Sequence, residues 1–273
     1  MHFQHAVHTF QDLISAGFSP EQYSRLKFGQ NSAAREFGYA LADSIFARFG
    51  PELLSNRCVV IPSPYNQVKN VASIMTDHFA RRLNHLLTLN SGEHCDTSVI
   101  HRKVSYINDY GFLNAEQRKR LIDGDDFYFN PEFYKDKILI FIDDVRITGT
   151  HEIKLKELLD KHGIENTCIF GYYALYEGQQ ADIEAAINFA GMKGVDDLIA
   201  LIRDADNYHM IVRPIKYILG VCTEKQCTHL LDALTSWQLE DLYFGCLGEG
   251  YYRIPKYQAN FQLIKAAYEK ALN

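Results

Sequence analysis

Ile138-Leu139-Ile140-Phe141-Ile142-Asp143-Asp144-Val145-Arg146-Ile147-Thr148-Gly149-Thr150-His151 is the stretch from which the fold can be read. Five apolar residues in an unbroken row predict a strand buried on both faces, and the amphipathic run from His151 to Leu159 predicts a helix after it. Between them, Asp143 to Thr150 is polar with one glycine, so two carboxylates stand where a buried strand ends and a helix is about to begin. In open α/β sheets that is where ligands bind. The first amides of such a helix have no partners within it, and the helix dipole adds positive potential, so a phosphate placed there is stabilised. Thr148 and Thr150 contribute hydroxyl donors, and Gly149 lets the backbone come close to an anion. Asp143 and Asp144 suit the vicinal hydroxyls of a ribose. A strand, an acidic pair and a phosphate-cradling turn together describe a receptor for ribose 5-phosphate.

The same grammar extends outward. Cys58-Val59-Val60-Ile61-Pro62 is a second apolar run, closed by Ser63-Pro64-Tyr65-Asn66 and followed by helical spacing from Val68 to Leu87. A third run spans Thr167 to Ala174, and Ser32 to Phe49 carries apolar residues at three- and four-residue steps. Buried strands alternating with helices predict an α/β fold, Rossmann-like, with a mostly parallel sheet flanked by helices. After about residue 178 the pattern becomes helical: Ala181 to Ala190, Val195 to Ile202, Thr223 to Leu234, Trp237 to Leu247 and Tyr257 to Leu272. We therefore expect an α/β domain over residues 1–178, with an N-terminal helical or hood segment, and a C-terminal helical extension over 179–273. No Pro- or Gly-rich linker separates them, so the extension should pack on the sheet domain.

Composition narrows the function. With 47% hydrophobic and 23% charged residues among 273, the chain is not of the disordered class. A net charge of −6 disfavours a broad electrostatic grip on nucleic acid or anionic lipid, so neither partner is expected. Six scattered cysteines without a CxxC pair read as reduced thiols, and the first twenty residues lack the pattern of a secretion signal. A cytoplasmic location is the expectation. Cys222, Cys227 and His229 lack a fourth ligand at a recognisable spacing and do not read as a metal site.

Ile140 to Val145 followed by Thr148-Gly149-Thr150 resembles the signature of the type I phosphoribosyltransferases, a hydrophobic strand, an acidic pair and a Thr-rich loop. The chain departs from that signature at Ile147 and His151, where the family carries small hydroxyl or polar residues. In that family the loop after the first core strand holds pyrophosphate, often with a strained non-proline cis peptide. Ser63, Pro64, Tyr65 and Asn66 occupy that place, with Lys69 at the end of the loop. His101-Arg102-Lys103 and Gly111 to Arg120 resemble the family's basic mobile region, most closely that of the competence-associated, ComF-like members. The resemblance covers roughly residues 25–178.

What it implies is a magnesium-dependent (Mg2+) phosphoribosyltransferase, moving the 5-phosphoribosyl group between 5-phosphoribosyl pyrophosphate (PRPP) and a nitrogenous base or amine. Asp143 and Asp144 would hold ribose hydroxyls and the metal. Lys69, Arg102 and Lys103 would neutralise pyrophosphate. Arg146, Ile147, Thr148, Gly149, Thr150 and His151 would receive the 5-phosphate. Dimers are usual in the family, which makes a homodimer one option, and the sequence leaves the oligomeric state open. A protein that senses PRPP or a nucleotide without turnover, and a hydrolase or phosphorylase of nucleotide monophosphates, are the competing readings.

Overall fold

The computed structural model describes residues 1–102, 127–128 and 131–272. Its central sheet has five parallel strands, β1 (His2–Phe10), β2 (Cys58–Pro62), β3 (Asp96–Thr97), β6 (Ile138–Arg146) and β7 (Cys168–Tyr176), in the order β1-β7-β6-β2-β3. Two short strands, β4 (His101–Arg102) and β5 (Phe127–Tyr128), pair separately and antiparallel. Helices α1 (Pro20–Lys27), α2 (Asn31–Ser55), α3 (Val71–Leu89), α4 (Pro131–Tyr134) and α5 (Thr150–Lys161) surround the sheet. The C-terminal part is helical: α6 (Ile183–Phe189), α7 (Val195–Arg203), α8 (Val212–Gly220), α9 (Glu224–Leu231), α10 (Ser236–Gly248) and α11 (Gln258–Ala271).

The period of two along a strand divides the apolar runs between two layers. Cys58, Val60, Ile138, Ile140, Ile142 and Ile169 join the core formed with α2 and α3. Val59, Ile61, Leu139, Phe141 and Phe170 face the other way, onto Leu155, Leu158 and Leu159 of α5. Runs with no polar member are therefore what a sheet covered on both faces requires. Chain direction then creates a crevice. From β2 the chain passes through α3 to β3 on one side, and from β6 through α5 to β7 on the other, so the connections diverge between β2 and β6. The loops leaving these strands face each other at this switch point, the ligand position of open α/β sheets.

Three features differ from the sequence reading. The N-terminal segment expected as a helical hood contributes β1, a strand at the sheet edge in register with β7 from His2↔Cys168 to Phe10↔Tyr176. Its side chains are mostly half-exposed, and an edge strand with histidines at positions 2, 5 and 8 lacks the apolar run that marks a central strand. Helix α8 had no counterpart in that reading, because Pro214 interrupts its first turn, where proline is tolerated. Finally, β6 runs on through Asp143 and Asp144 to Arg146, so the acidic pair lies within the last strand residues.

The helical part has its own core, and Phe28, fully buried between α1 and α2, is inserted into it against Phe189 and Tyr217. Conversely, Ile183 and Ile187 of α6 belong to the core beneath the sheet. Among the described residues, no helix is long and apolar enough to cross a membrane.

Candidate active site

Gly149 is the N-cap of α5, with φ +71 and ψ 7, a left-handed conformation that glycine adopts without penalty. It provides no side-chain cap, the kind of helix start whose backbone donors and dipole suit an anion. The hydroxyls of Thr148 and Thr150 are paired at 2.8 Å, and His151 Nδ1 lies 3.3 Å from Asp143 Oδ2. Ile147 turns inward and packs against the core with α2 and α3. A hydrophobic residue at this position thus anchors the turn, in place of a further hydroxyl toward a phosphate.

Arg146 lies across this turn. A Cβ added at Gly149 would stand 2.5 Å from Arg146 Nη2, so the guanidinium lies directly against the glycine. Arg146 is aimed by Glu152, which is 6% exposed and accepts from Arg146 Nε at 3.0 Å, Tyr172 OH at 2.9 Å, Gln4 Nε2 at 2.8 Å and Lys156 Nζ at 2.6 Å. Burial alone would raise the Glu152 carboxyl, but these hydrogen bonds and the Lys156 charge hold it below its usual value. Burial and the neighbouring Glu152 and Asp143 charges push the Tyr172 phenol far up, so it serves as a donor.

The two aspartates differ. Asp143 has a side chain 16% exposed and accepts the amide of Asp144 at 3.0 Å. Asp144 is buried, and its Oδ2 accepts from Lys27 Nζ at 2.5 Å and Tyr23 OH at 2.6 Å, both on α1. The cleft lined by Tyr23, Lys27, residues 143–152, Tyr172 and Glu184 encloses about 80 Å³. That is small beside the ~300–1,000 Å³ of ordinary ligand pockets, and Arg146 and Lys27 are among its walls.

The loop after β2 lies beside this cleft. Ser63 is buried and donates its amide to Ile142 O at 3.0 Å, which ties the loop to β6. Asn70 donates to the carbonyls of Ser63 and Pro64 while accepting from Ser73 N as the cap of α3, and Tyr65 bridges to His101. All peptide bonds of the described residues are trans, unlike the cis peptide that the resemblance suggested. Ser63, Pro64, Tyr65 and Asn66 do not line the cleft of the acidic pair, and Lys69 points away, its ammonium 2.7 Å from Asp77 Oδ2. The backbone of Arg102 pairs with Phe127, whereas Lys103 and the basic stretch from Gly111 to Arg120 lie outside the described residues.

Sequence reasoning missed Tyr23, Lys27, Glu152, Tyr172 and Glu184. Ser19-Pro20-Glu21 does mark a helix start, and Tyr23 and Lys27 share one face of that helix four residues apart. Nothing in the sequence says that this face meets Asp144.

Magnesium fits this donor set at Asp143, a hard oxygen ligand open to the cleft. Asp144, holding an ammonium, does not fit it.

A five-stranded parallel sheet, with an acidic pair and an anion-binding turn at its switch point, defines a protein of the phosphoribosyltransferase type. The chain belongs to the family described as PRTase ComF-like, whose profile matches residues 1–264 and so takes in the helical part as well. None of the curated proteins compared with the chain matches it.

Proposed function

We propose that the protein is a phosphoribosyltransferase that transfers the 5-phosphoribosyl group between PRPP and a nitrogenous base or amine. The observation that carries this reading is the start of α5 at a left-handed Gly149, three residues beyond the end of a strand, Ile138–Arg146, that carries Asp143 and Asp144 near its close. The amides of residues 150–152 and the hydroxyls of Thr148 and Thr150 hold the 5-phosphate, with Arg146 closing over it. Asp143 accepts a ribose hydroxyl.

In the forward reaction the bond from the anomeric carbon to pyrophosphate breaks, and pyrophosphate leaves with the electron pair. A bond to the acceptor nitrogen forms, and that nitrogen loses a proton. Positive charge develops on the ring as in glycosyl transfer, so the nearby carboxylates favour the transition state by position and charge. Magnesium, when bound with PRPP, supplies positive charge to the departing pyrophosphate. Lys69 reaches the same group by releasing Asp77, and Arg102 and Lys103 supply further positive charge to it. The six buried, unpaired cysteines support a cytoplasmic setting.

One observation favours the sensor reading: with Asp144 held by Lys27, a single member of the acidic pair faces the ligand. Thermal stabilisation by PRPP with magnesium, followed by pyrophosphate release across candidate bases and amines, tests both. Stabilisation abolished by Asp143→Asn, together with pyrophosphate release, is the expected outcome. Stabilisation without release for any acceptor would leave the sensor, and no stabilisation at all would remove the phosphoribosyl reading.

A further inference from the structure

Lys27 and Tyr23 stand one helical turn apart on α1 and meet at a single atom, Asp144 Oδ2. The lysine side chain is 14% exposed and the aspartate's 6%, and both line the cleft that contains Asp143 and Gly149. The ammonium lies 2.5 Å from the carboxylate oxygen and the Tyr23 phenol 2.6 Å from it, a buried ion pair set beside the position where ribose hydroxyls and pyrophosphate would lie. A second cation brought to the same carboxylate oxygen would be repelled by the ammonium already there.

We propose that Lys27 is the resident cation of the acidic pair: its ammonium contacts the hydroxyl and pyrophosphate oxygens of bound PRPP and leaves Asp143 as the member of the pair open to a metal ion. The inference rests on the phosphoribosyl reading of the cleft. Its consequence is that much of the affinity for PRPP persists without a divalent cation, because a charge that would otherwise arrive with the metal is covalently part of α1. The lysine contributes through its place in the site, four residues after Tyr23, whose phenol fixes the carboxylate that aims it.

Isothermal titration of the full chain with PRPP, in chelator and in magnesium, tests this directly. For the unaltered protein, magnesium is expected to strengthen binding by less than about tenfold. For Lys27→Met combined with Asp144→Asn, a near-isosteric neutral pair that leaves no buried charge, magnesium should strengthen it by about a hundredfold, the span of one to two charged hydrogen bonds. Lys27→Arg, which keeps the cation, should retain the weak metal dependence. Binding with magnesium and none in chelator for the unaltered protein overturns the Lys27 inference alone, and needs no variant to fold. Equal metal dependence in the unaltered protein and the double variant overturns it as well. Failure to bind PRPP in either condition overturns the phosphoribosyl reading and this inference with it.

Discussion

Oε1 of Glu249 accepts the amide N–H of Val68 at 2.8 Å and also that of Gln67 at 2.9 Å, so a carboxylate of the helical part holds the loop after β2 from behind. The residue is 8% exposed and follows the C-terminus of α10, where the helix dipole disfavours an anion. The two amides offset that cost. A Cβ at Gly248 would stand 3.1 Å from Gln67 Cβ, so the glycine lets the helix end close against the loop. Glu249→Ala leaves both amides without this acceptor and should cost about 1–3 kcal/mol of stability, with a raised KM for PRPP. Glu249→Gln keeps an oxygen in place and should recover most of both, as read by urea denaturation and PRPP titration.

Gly149→Ala meets two obstacles at once. A left-handed backbone costs an alanine about 1–2 kcal/mol, and the new methyl would push the flexible Arg146 guanidinium off the turn. We expect a stability loss of at least that size, together with loss of the rise in melting temperature that PRPP gives the unaltered protein. A variant still stabilised by PRPP would show that the turn is not the phosphate receptor.

Removing Lys27 alone strands a buried carboxylate. Lys27→Ala should therefore destabilise the fold by about 3–5 kcal/mol, whereas Lys27→Met with Asp144→Asn removes both charges and should cost far less. Chemical denaturation of the two variants side by side checks the difference. Similar losses in both would mean that packing of the lysine stem outweighs the charge.

Acid should weaken the fold well before Asp144 titrates. His5, His8 and His78 are partly buried, and burial, the largest cause for each, lowers them from the ordinary 6.5. For such groups the unfolded chain binds more protons than the folded one, so stability is fully present above about pH 6.5 and falls as pH drops through that value toward the folded pKa. Melting temperature should decline between about pH 7 and pH 5, less so in His78→Gln. Asp144 behaves oppositely in range: its depressed carboxyl contributes stability that is lost only in strong acid, below the ordinary carboxylate pKa. A melting temperature level across the histidine range would contradict the burial assigned to these rings.

Phe28 fastens the two parts together. Its ring is fully buried among Phe189, Tyr217 and the helical core, although it leaves the chain between α1 and α2. Phe28→Ala should cost about 3–5 kcal/mol. Because α1 also carries Tyr23 and Lys27, the loss should be accompanied by weaker PRPP binding, measured by titration at a temperature where the variant remains folded.

Much of the architecture was legible because its signals are local. Ile138–Ile142 and Cys58–Ile61 have no polar member, which only a doubly covered strand tolerates, and the Thr223 capping box is written within four residues. The anion-binding turn was legible for the same reason, since the strand end, Gly149 and the helix start are contiguous. Strand β1 was not, because its half-exposed side chains follow no apolar period and its partner lies more than 160 residues away. Lys69 shows what adjacency leaves out: it stands at the end of the loop, yet Asp77, two turns along α3, holds its ammonium in this structure.

The sequence by itself determined a parallel α/β sheet and the place on it where a phosphate would sit, since hydrophobic period, helix capping and the conformational freedom of glycine all act within a few bonds. Only the tertiary structure decided the character of the acidic pair. Asp143 and Asp144 are identical side chains one residue apart, and the alternation of the strand sends one toward His151 and the other toward Tyr23 and Lys27. Charge interactions fall off over a few ångströms of space, whatever the separation along the chain. The ammonium that sets the state of Asp144 comes from a residue 117 positions away, and only folding brings it there.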